Sequence, residues 1–352
     1  MKAFAYSANP SRVVFGAGTL DEVRAEVERL GGTRVLLLAS ERLTDRARRA
    51  LGPLPVAEFA DAAMHTPVEV TARALAVLRE HDTDCLMAVG GGSAIGLSKA
   101  LAVRTGLPQV VVPTTYAGSE VTPVLGETED GRKTTRSDPA ILPETVVYDV
   151  DLTVDMPLDL TVTSAVNALA HGVEALYAPQ ANPITDGLAL DAVTRIGRAL
   201  RRVVADPSDV DTRADLLLGA WLAGTCLGAV GMGLHHKLCH TLGGAFGLPH
   251  ARTHTVVLPH AMAYNASAVP AVMAGIADAL GVPDAPSGVF DLIAATGVPT
   301  ALRELGLAAD ELPHAVELAT SSAYPNPREV TADGVADLLD EAWHGRRPAK
   351  AS

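Results

Sequence analysis

Residues 84–104 read DCLMAVGGGSAIGLSKALAVR, and the architecture of the first half of the chain follows from them. An apolar run with no polar face ends in three glycines and a serine, and a helical pattern follows. An apolar run of that kind is a strand of the sort a parallel sheet buries on both sides. Glycines at 90–92 let the backbone approach a ligand closely. The helix expected over 95–104 aims its free N–H groups and dipole at the same point. Together they form an anion cradle. It is not the GxGxxG fingerprint, since Ile95 stands at the third position, and no GK[ST] follows to make a phosphate loop.

The alternation repeats on either side. Residues 12–15, 34–38, 109–112 and 145–149 read as strands. Helices are expected after Thr19, as an N-cap with Glu22 in the capping-box place, after Ser40, and from Pro67 onward; DLTVDMP after residue 149 reads as a turn. Alternating β and α implies a parallel sheet covered on both faces. The strand at 109–112 runs into PTTYAGSE, a second polar loop at a strand's carboxyl end, where open α/β sheets bind ligands. Gly90, Gly91, Gly92, Ser93, Thr114, Thr115 and Ser119 are therefore cofactor-binding candidates, with Lys133 of GRKTT as a nearby cation. Ser40 ends the second strand, where an acidic residue selects the ribose hydroxyls of NAD. Ser40 has no charge but Glu41 is adjacent, so NADH and NADPH both stay open.

After Asp149 the pattern becomes helical, with apolar periodicity over 161–177, 186–204, 211–227, 254–265, 270–280 and 330–343. The 352 residues, 48% hydrophobic, allow two domains with full cores. The expected division is an α/β dinucleotide-binding domain at 1–155 and an all-helical catalytic domain at 156–352. A net charge of −13 without a basic stripe argues against nucleic acid as a partner. The apolar runs are too short to span a membrane, which takes about 20 residues. Cys85, Cys226 and Cys239 form no CxxC pair, which points to a reducing cytoplasm.

Residues 231–250, GMGLHHKLCHTLGGAFGLPH, hold four of the chain's 11 histidines. His236 and His240 are four apart and share one helical face; His250 follows a glycine-rich break. Upstream, Asn167-Ala-Leu-Ala-His171 repeats the four-residue step. Two such helices facing one another converge imidazoles on one point, as metal sites and proton relays require. A carboxylate at 167 would complete a four-ligand site, which the neutral amide of Asn167 weakens.

In order along nearly the whole chain, GGGS, PTTYAGSE, the NxxxH helix, HHKLCHTLGG, LPH and HTVVLPHAMAYN resemble the iron-containing alcohol dehydrogenases. FGAGTL, MHTPVEVT, VPTTYAGSEVTPVLGETEDGRKTT, NALAHGVEALYA, PHARTHTVVLPHAMAYN and YPNPREVT are similar to the maleylacetate reductase branch. The resemblance implies the dehydroquinate synthase-like architecture, an α/β dinucleotide-binding domain followed by a helical one. It also implies a homodimer and NADH or NADPH as cofactor. The implied reaction reduces the C=C bond of maleylacetate, a small dianionic enedioate, to 3-oxoadipate in aromatic-compound degradation. The superfamily's metal positions would fall at Asn167, His171, His236 and His250, with His240 beside substrate and nicotinamide. Asn167 replaces the usual aspartate, and His254 stands where the alcohol dehydrogenases usually have asparagine. The branch with these departures works without metal, so the metal positions are expected to be vestigial. His171, His236, His240, His250 and Asn167 are then the catalytic set, with His240 or His250 delivering the proton. Tyr116, His254 and Arg328 are expected to meet the substrate. The alternative is a metal-dependent alcohol or aldehyde dehydrogenase on the same fold.

Overall fold

The computed structural model describes residues 4–6, 8–9 and 11–349, leaving aside the side chain of Lys133. The chain divides between Met156 and Pro157 into two compact units, and residues 4–6 group with the second.

The first unit contains β1 (Arg12–Gly16), α1 (Val23–Arg29), β2 (Val35–Ala39), α2 (Glu41–Leu51), β3 (Val56–Phe59), α3 (Val68–Glu80) and β4 (Cys85–Gly90). It continues with α4 (Gly92–Thr105), β5 (Gln109–Pro113), β6 (Val124–Glu129), β7 (Arg132–Ser137), β8 (Thr145–Asp149) and α5 (Asp151–Val154). Six parallel strands lie in the order β1-β8-β5-β4-β2-β3. Val35, Leu37, Cys85, Met87, Val110 and Val112 pack in one cluster with Val23, Val27, Leu43, Ala47 and Leu51 of α1 and α2. Their neighbours Leu36, Leu38, Leu86, Ala88 and Val111 alternate to the other face and are equally buried. Full burial of each large aliphatic side chain contributes on the order of 1.5–3 kcal/mol. Both faces are filled, which is why these strands read as unbroken apolar runs.

One local expectation is corrected. Thr19 does not cap a helix: its hydroxyl donates to the carbonyls of Gly16 and Tyr148. The buried carboxylate of Asp149, at the end of β8, accepts instead from the N–H groups of Gly18 and Leu20, each at 3.0 Å. DLTVDMP, read as a turn, opens with a single helical turn, α5. GETEDGRKTT forms an antiparallel hairpin, β6–β7, turning at Asp130 and Gly131, both at positive φ. That is the two-residue Asp-Gly turn whose twist suits a hairpin.

The second unit contains α6 (Leu158–Tyr177), α7 (Pro183–Val203), α8 (Val210–Ala229), α9 (Leu234–Phe246), α10 (His250–Asn265), α11 (Pro270–Leu280), α12 (Ala285–Ala294), α13 (Leu312–Thr320) and α14 (Ala332–His344). Residues 161–175 of α6 are all buried, as for a helix apolar on every side. On α9, Leu234, Leu238 and Leu242 recur at four-residue spacing. They pack against Val256, Val257 and Ala261 of α10, with Ala315, Ala319, Val335 and Leu339 behind. This packing fixes the rotation of α9, so His236 and His240 project from another face. No single described helix is long and apolar enough to cross a membrane.

Candidate active site

In the first unit, Gly90 pairs with Pro113 across β4 and β5, so the two expected loops leave the sheet side by side. Thr114 N–H donates to Gly90 O at 2.9 Å. A Cβ on Gly91 would sit 3.2 Å from the Thr115 side chain, so the loops touch and glycine permits it. α4 begins at Gly92, and its N-cap Gly91 has no side chain to satisfy the first N–H groups. Gly92 is exposed, and a Cβ on it would meet nothing within 4 Å. The open space and free donors fit a dinucleotide pyrophosphate. Ser40 is exposed at the end of β2 and stands at the N-cap of α2 without a side-chain bond. Lys133 lies in β7, and its side chain is outside the described residues.

Gly92→Val is expected to leave the unfolding midpoint within the range of neutral surface changes, about 0.5 kcal/mol. It should weaken NADH binding at least ~10-fold, because the branched side chain fills the cradle; a tenfold change is about 1.4 kcal/mol. A fluorescence titration showing unchanged affinity would remove the cradle from the nucleotide site.

In the second unit six imidazoles meet. His171 stacks on His236 with centroids 5.0 Å apart; His236 lies 5.2 Å from His235, 4.9 Å from His254 and 6.0 Å from His240. His250 lies 4.4 Å from His254 and 6.2 Å from His240. The cluster has an inside and an outside. His171, His235, His236 and His254 are buried, whereas His240 and His250 are exposed. Burial, reinforced by the neighbouring imidazoles, holds His171, His235 and His254 well below the usual histidine range. These three are neutral at neutral pH.

Glu174, which the sequence reading passed over, organises the inner group. It stands three residues after His171 on α6, with a fully buried carboxylate. Oε1 accepts from the His235 N–H at 2.9 Å, and Oε2 meets Nδ1 of His236 at 2.5 Å. The carboxylate only accepts, so the His236 proton sits on Nδ1 and Nε2 presents a lone pair. That Nε2 is buried without a hydrogen-bond partner, as are Nδ1 of His171 and Oδ1 of Asn167. His235, also passed over, holds Nδ1 of His254 at 2.9 Å, and its Nε2 lies 3.8 Å from Cys239 Sγ.

These facts test the four positions that the resemblance assigns to a metal. Among the described residues, the one group of three His, Cys, Asp or Glu donors lying within 4.8 Å of one another is His235, Cys239 and His254. His171, His236 and His250 do not close on a common point in that way. The fourth position contributes a neutral amide, a weak donor for zinc or iron. In the trio that closes, the atoms hydrogen-bond one another, and burial, with the charge of Glu174 adding, holds the Cys239 thiol protonated.

The three expected substrate contacts differ in their surroundings. His254 is fully buried, neutral and engaged by His235, so it is not a cation for a carboxylate. The Tyr116 side chain is fully buried. Arg328 donates to Tyr264 O at 3.0 Å and stacks on the Tyr264 ring. Tyr264 lies ten residues, about 15 Å of helix rise, beyond His254 on α10.

The iron-containing alcohol dehydrogenase model matches residues 10–150, and the C-terminal model of the Fe-containing alcohol dehydrogenase family matches residues 161–343. Maleylacetate reductase 1 of Rhodococcus opacus is 60% identical over 98% of both chains. The crystal structure of maleylacetate reductase from a Rhizobium species is 48% identical and superposes with a TM-score of 0.95 over 99% of this chain and 100% of that one. A putative alcohol dehydrogenase from Ralstonia eutropha is 50% identical with a TM-score of 0.97, again over 99% of this chain and 100% of the other. The chain belongs to the iron-containing alcohol dehydrogenase family, within which it groups with the maleylacetate reductases, and it is an oxidoreductase.

Proposed function

We propose that the protein reduces the carbon–carbon double bond of maleylacetate, and of substituted maleylacetates, to 3-oxoadipate with NADH or NADPH, without a metal, in the breakdown of aromatic compounds. The observation that carries this reading is the imidazole cluster itself: six neighbouring rings, of which His171, His236 and His250 stand at positions the resemblance assigns to a metal.

Gly90, Gly91, Gly92, Ser93, Thr114, Thr115 and Ser119 hold the dinucleotide, and Ser40 stands by the ribose. When bound, the dihydronicotinamide supplies a hydride. Hydride addition to the alkene carbon β to the ketone moves the π electrons onto the ketone oxygen as an enolate. That oxygen requires a positive partner in the transition state. Exposed His240 or His250 provides it as an imidazolium and then gives its proton to the α carbon, which completes the reduction. Behind them, Nε2 of His236, held in one tautomer by Glu174, accepts a hydrogen bond and steadies that imidazolium. Asn167 puts a neutral amide at a position where a carboxylate could bind the imidazolium tightly and make it a poorer acid. The protein acts as a cytoplasmic homodimer with no nucleic-acid or membrane partner; its three cysteines are free and buried.

The test uses NADH deuterated at C4, with maleylacetate as substrate. Deuterium should appear on the product carbon β to the ketone, with the ketone intact. Deuterium on a carbinol carbon would mean ketone reduction and would sink the proposal.

A further inference from the structure

Lys99 does not belong to either set of candidates, yet it is among the largest fully buried side chains of the described chain. It lies seven residues after Gly92 on α4, two turns down on the same helical face. Its Nζ donates to Ser119 O, to Thr122 O at 2.8 Å, to Thr122 Oγ1 at 3.1 Å and to Val124 O at 3.0 Å. All four acceptors belong to residues 119–124, the end of the loop that carries Thr114, Thr115 and Ser119. Among the described residues no carboxylate lies in ion-pair contact with it. Fully buried Glu120 instead accepts from the Tyr148 hydroxyl at 2.8 Å. Burial pushes the Lys99 amine down to about 7, and the charge of Glu120 opposes this.

A buried ammonium is a costly way to fill a core, where a methionine of similar length packs without desolvation. The cation is matched by oxygens of one segment only. Besides Lys99, that segment is held by short-range bonds, Thr122 N–H to Ser119 O at 3.2 Å and Val121 N–H to Gly118 O at 3.4 Å, by Asn9 Nδ2 to Val121 O at 3.1 Å, by Asp138 N–H to Pro123 O at 3.0 Å, by the Tyr148 hydroxyl on Glu120, and by the pairing of Val124 with Ser137; Lys99 is the one of these ties that comes from α4. The start of the loop is tied to Gly90 through Thr114. Its end is tied to Lys99. Both ties come from the strand and helix that build the phosphate cradle.

We infer that Lys99 is a positioning residue for the dinucleotide: it clamps the end of the loop after β5 to the helix that forms the phosphate cradle, so the two halves of the nucleotide site keep one spacing. The inference rests on the reading of the cradle as a dinucleotide site. It places Lys99 in affinity for the dinucleotide and leaves the proton-transfer chemistry to the histidines.

The experiment is a fluorescence titration of wild type, Lys99→Met and Ser98→Ala with NADH and with NADPH, alongside kcat at saturating dinucleotide. Ser98→Ala removes a buried bond of the same helix, to Gln109 Oε1 at 2.9 Å, without touching the loop. Lys99→Met is expected to raise Kd about 10-fold or more, a loss of roughly 1.4 kcal/mol. Its kcat should hold within about twofold, and Ser98→Ala should leave Kd unchanged within the same margin. Unchanged Kd in Lys99→Met, or an equal rise in Ser98→Ala, would overturn the clamp. Should Lys99→Met fail to fold, Thr122→Val deletes one acceptor and keeps the cation. A rise of about threefold in its Kd, near 0.65 kcal/mol, is expected, and no rise would overturn the clamp. Wild type that binds neither dinucleotide would remove the nucleotide reading, and the clamp with it.

Discussion

Replacing His240 or His250 with alanine is expected to lower kcat for maleylacetate by about 10²–10⁴-fold, the usual contribution of a positioned general acid. The two rings lie 6.2 Å apart and nearly parallel, interplanar angle 16°, on the exposed side of the cluster. Both rings are reachable by substrate, whereas the interior rings His171, His235 and His254 are neutral and buried. An exposed residue removed from the fold costs little, so the unfolding midpoint should move by no more than about 0.5 kcal/mol in free energy. The variant with the larger loss identifies the proton donor. It should also lose the limb of the kcat–pH profile that reports the acid. Near-normal turnover in both variants would place the proton elsewhere.

Glu174→Gln carries the second large effect. The wild-type carboxylate accepts from the His235 N–H and from Nδ1 of His236. Glutamine keeps one oxygen and puts an amide donor where the second oxygen was. With its oxygen on the His235 N–H, the amide faces His236 Nδ1. That nitrogen must then accept, and the proton moves to Nε2. The reverse orientation sets the amide donor against the His235 N–H. In the first case His236 presents a donor to the cluster in place of a lone pair, and it can no longer steady an imidazolium. Wrong-tautomer and outer-shell substitutions of this kind cost from about 10-fold to about 10⁴-fold, and kcat should fall by at least about 10²-fold. KM for the dinucleotide should stay unchanged, because the cradle residues belong to the other unit. Wild-type kcat in a folded Glu174→Gln protein would separate Glu174 from the chemistry.

The sequence was a good guide to elements whose period is strong. The strands at 85–90 and 109–113 are buried on both faces, so their apolar runs stand out, and the glycines that follow have one clear use. α9 and α6 were legible because His236, His240, Asn167 and His171 repeat at helical spacing. Other elements were hidden for physical reasons. β3 is a four-residue edge strand, Val56–Phe59, with half of its residues away from the core. α12 and α13 carry Pro286 and Pro313 as their second residues, and prolines read as breaks although the first helical turn tolerates them. The β6–β7 hairpin carried its signal openly in Asp130-Gly131.

Within the site, the residues missed act through others. Glu174 looks like an ordinary helical glutamate, and only its burial against His235 and His236 reveals its place. Lys99 on an amphipathic helix reads as a solvated lysine, but α4 is buried on most of its surface. His235 neighbours His236 in sequence, and α9 turns it inward to His254. His254 and Arg328 were expected to bind carboxylates because they are basic; burial neutralises the first, and Tyr264 holds the second.

In the proposed mechanism, imidazoles supply the positive charge that a metal ion would otherwise supply. This is tested by following NADH and NADPH oxidation with maleylacetate on protein stripped with a chelator, then supplemented with Zn²⁺ or Fe²⁺. Full turnover in the stripped protein, with no gain from either metal, is the predicted result. Turnover that vanishes on stripping and returns with metal would contradict it, and would mean that His171, His236 and His250 close around a cation after all.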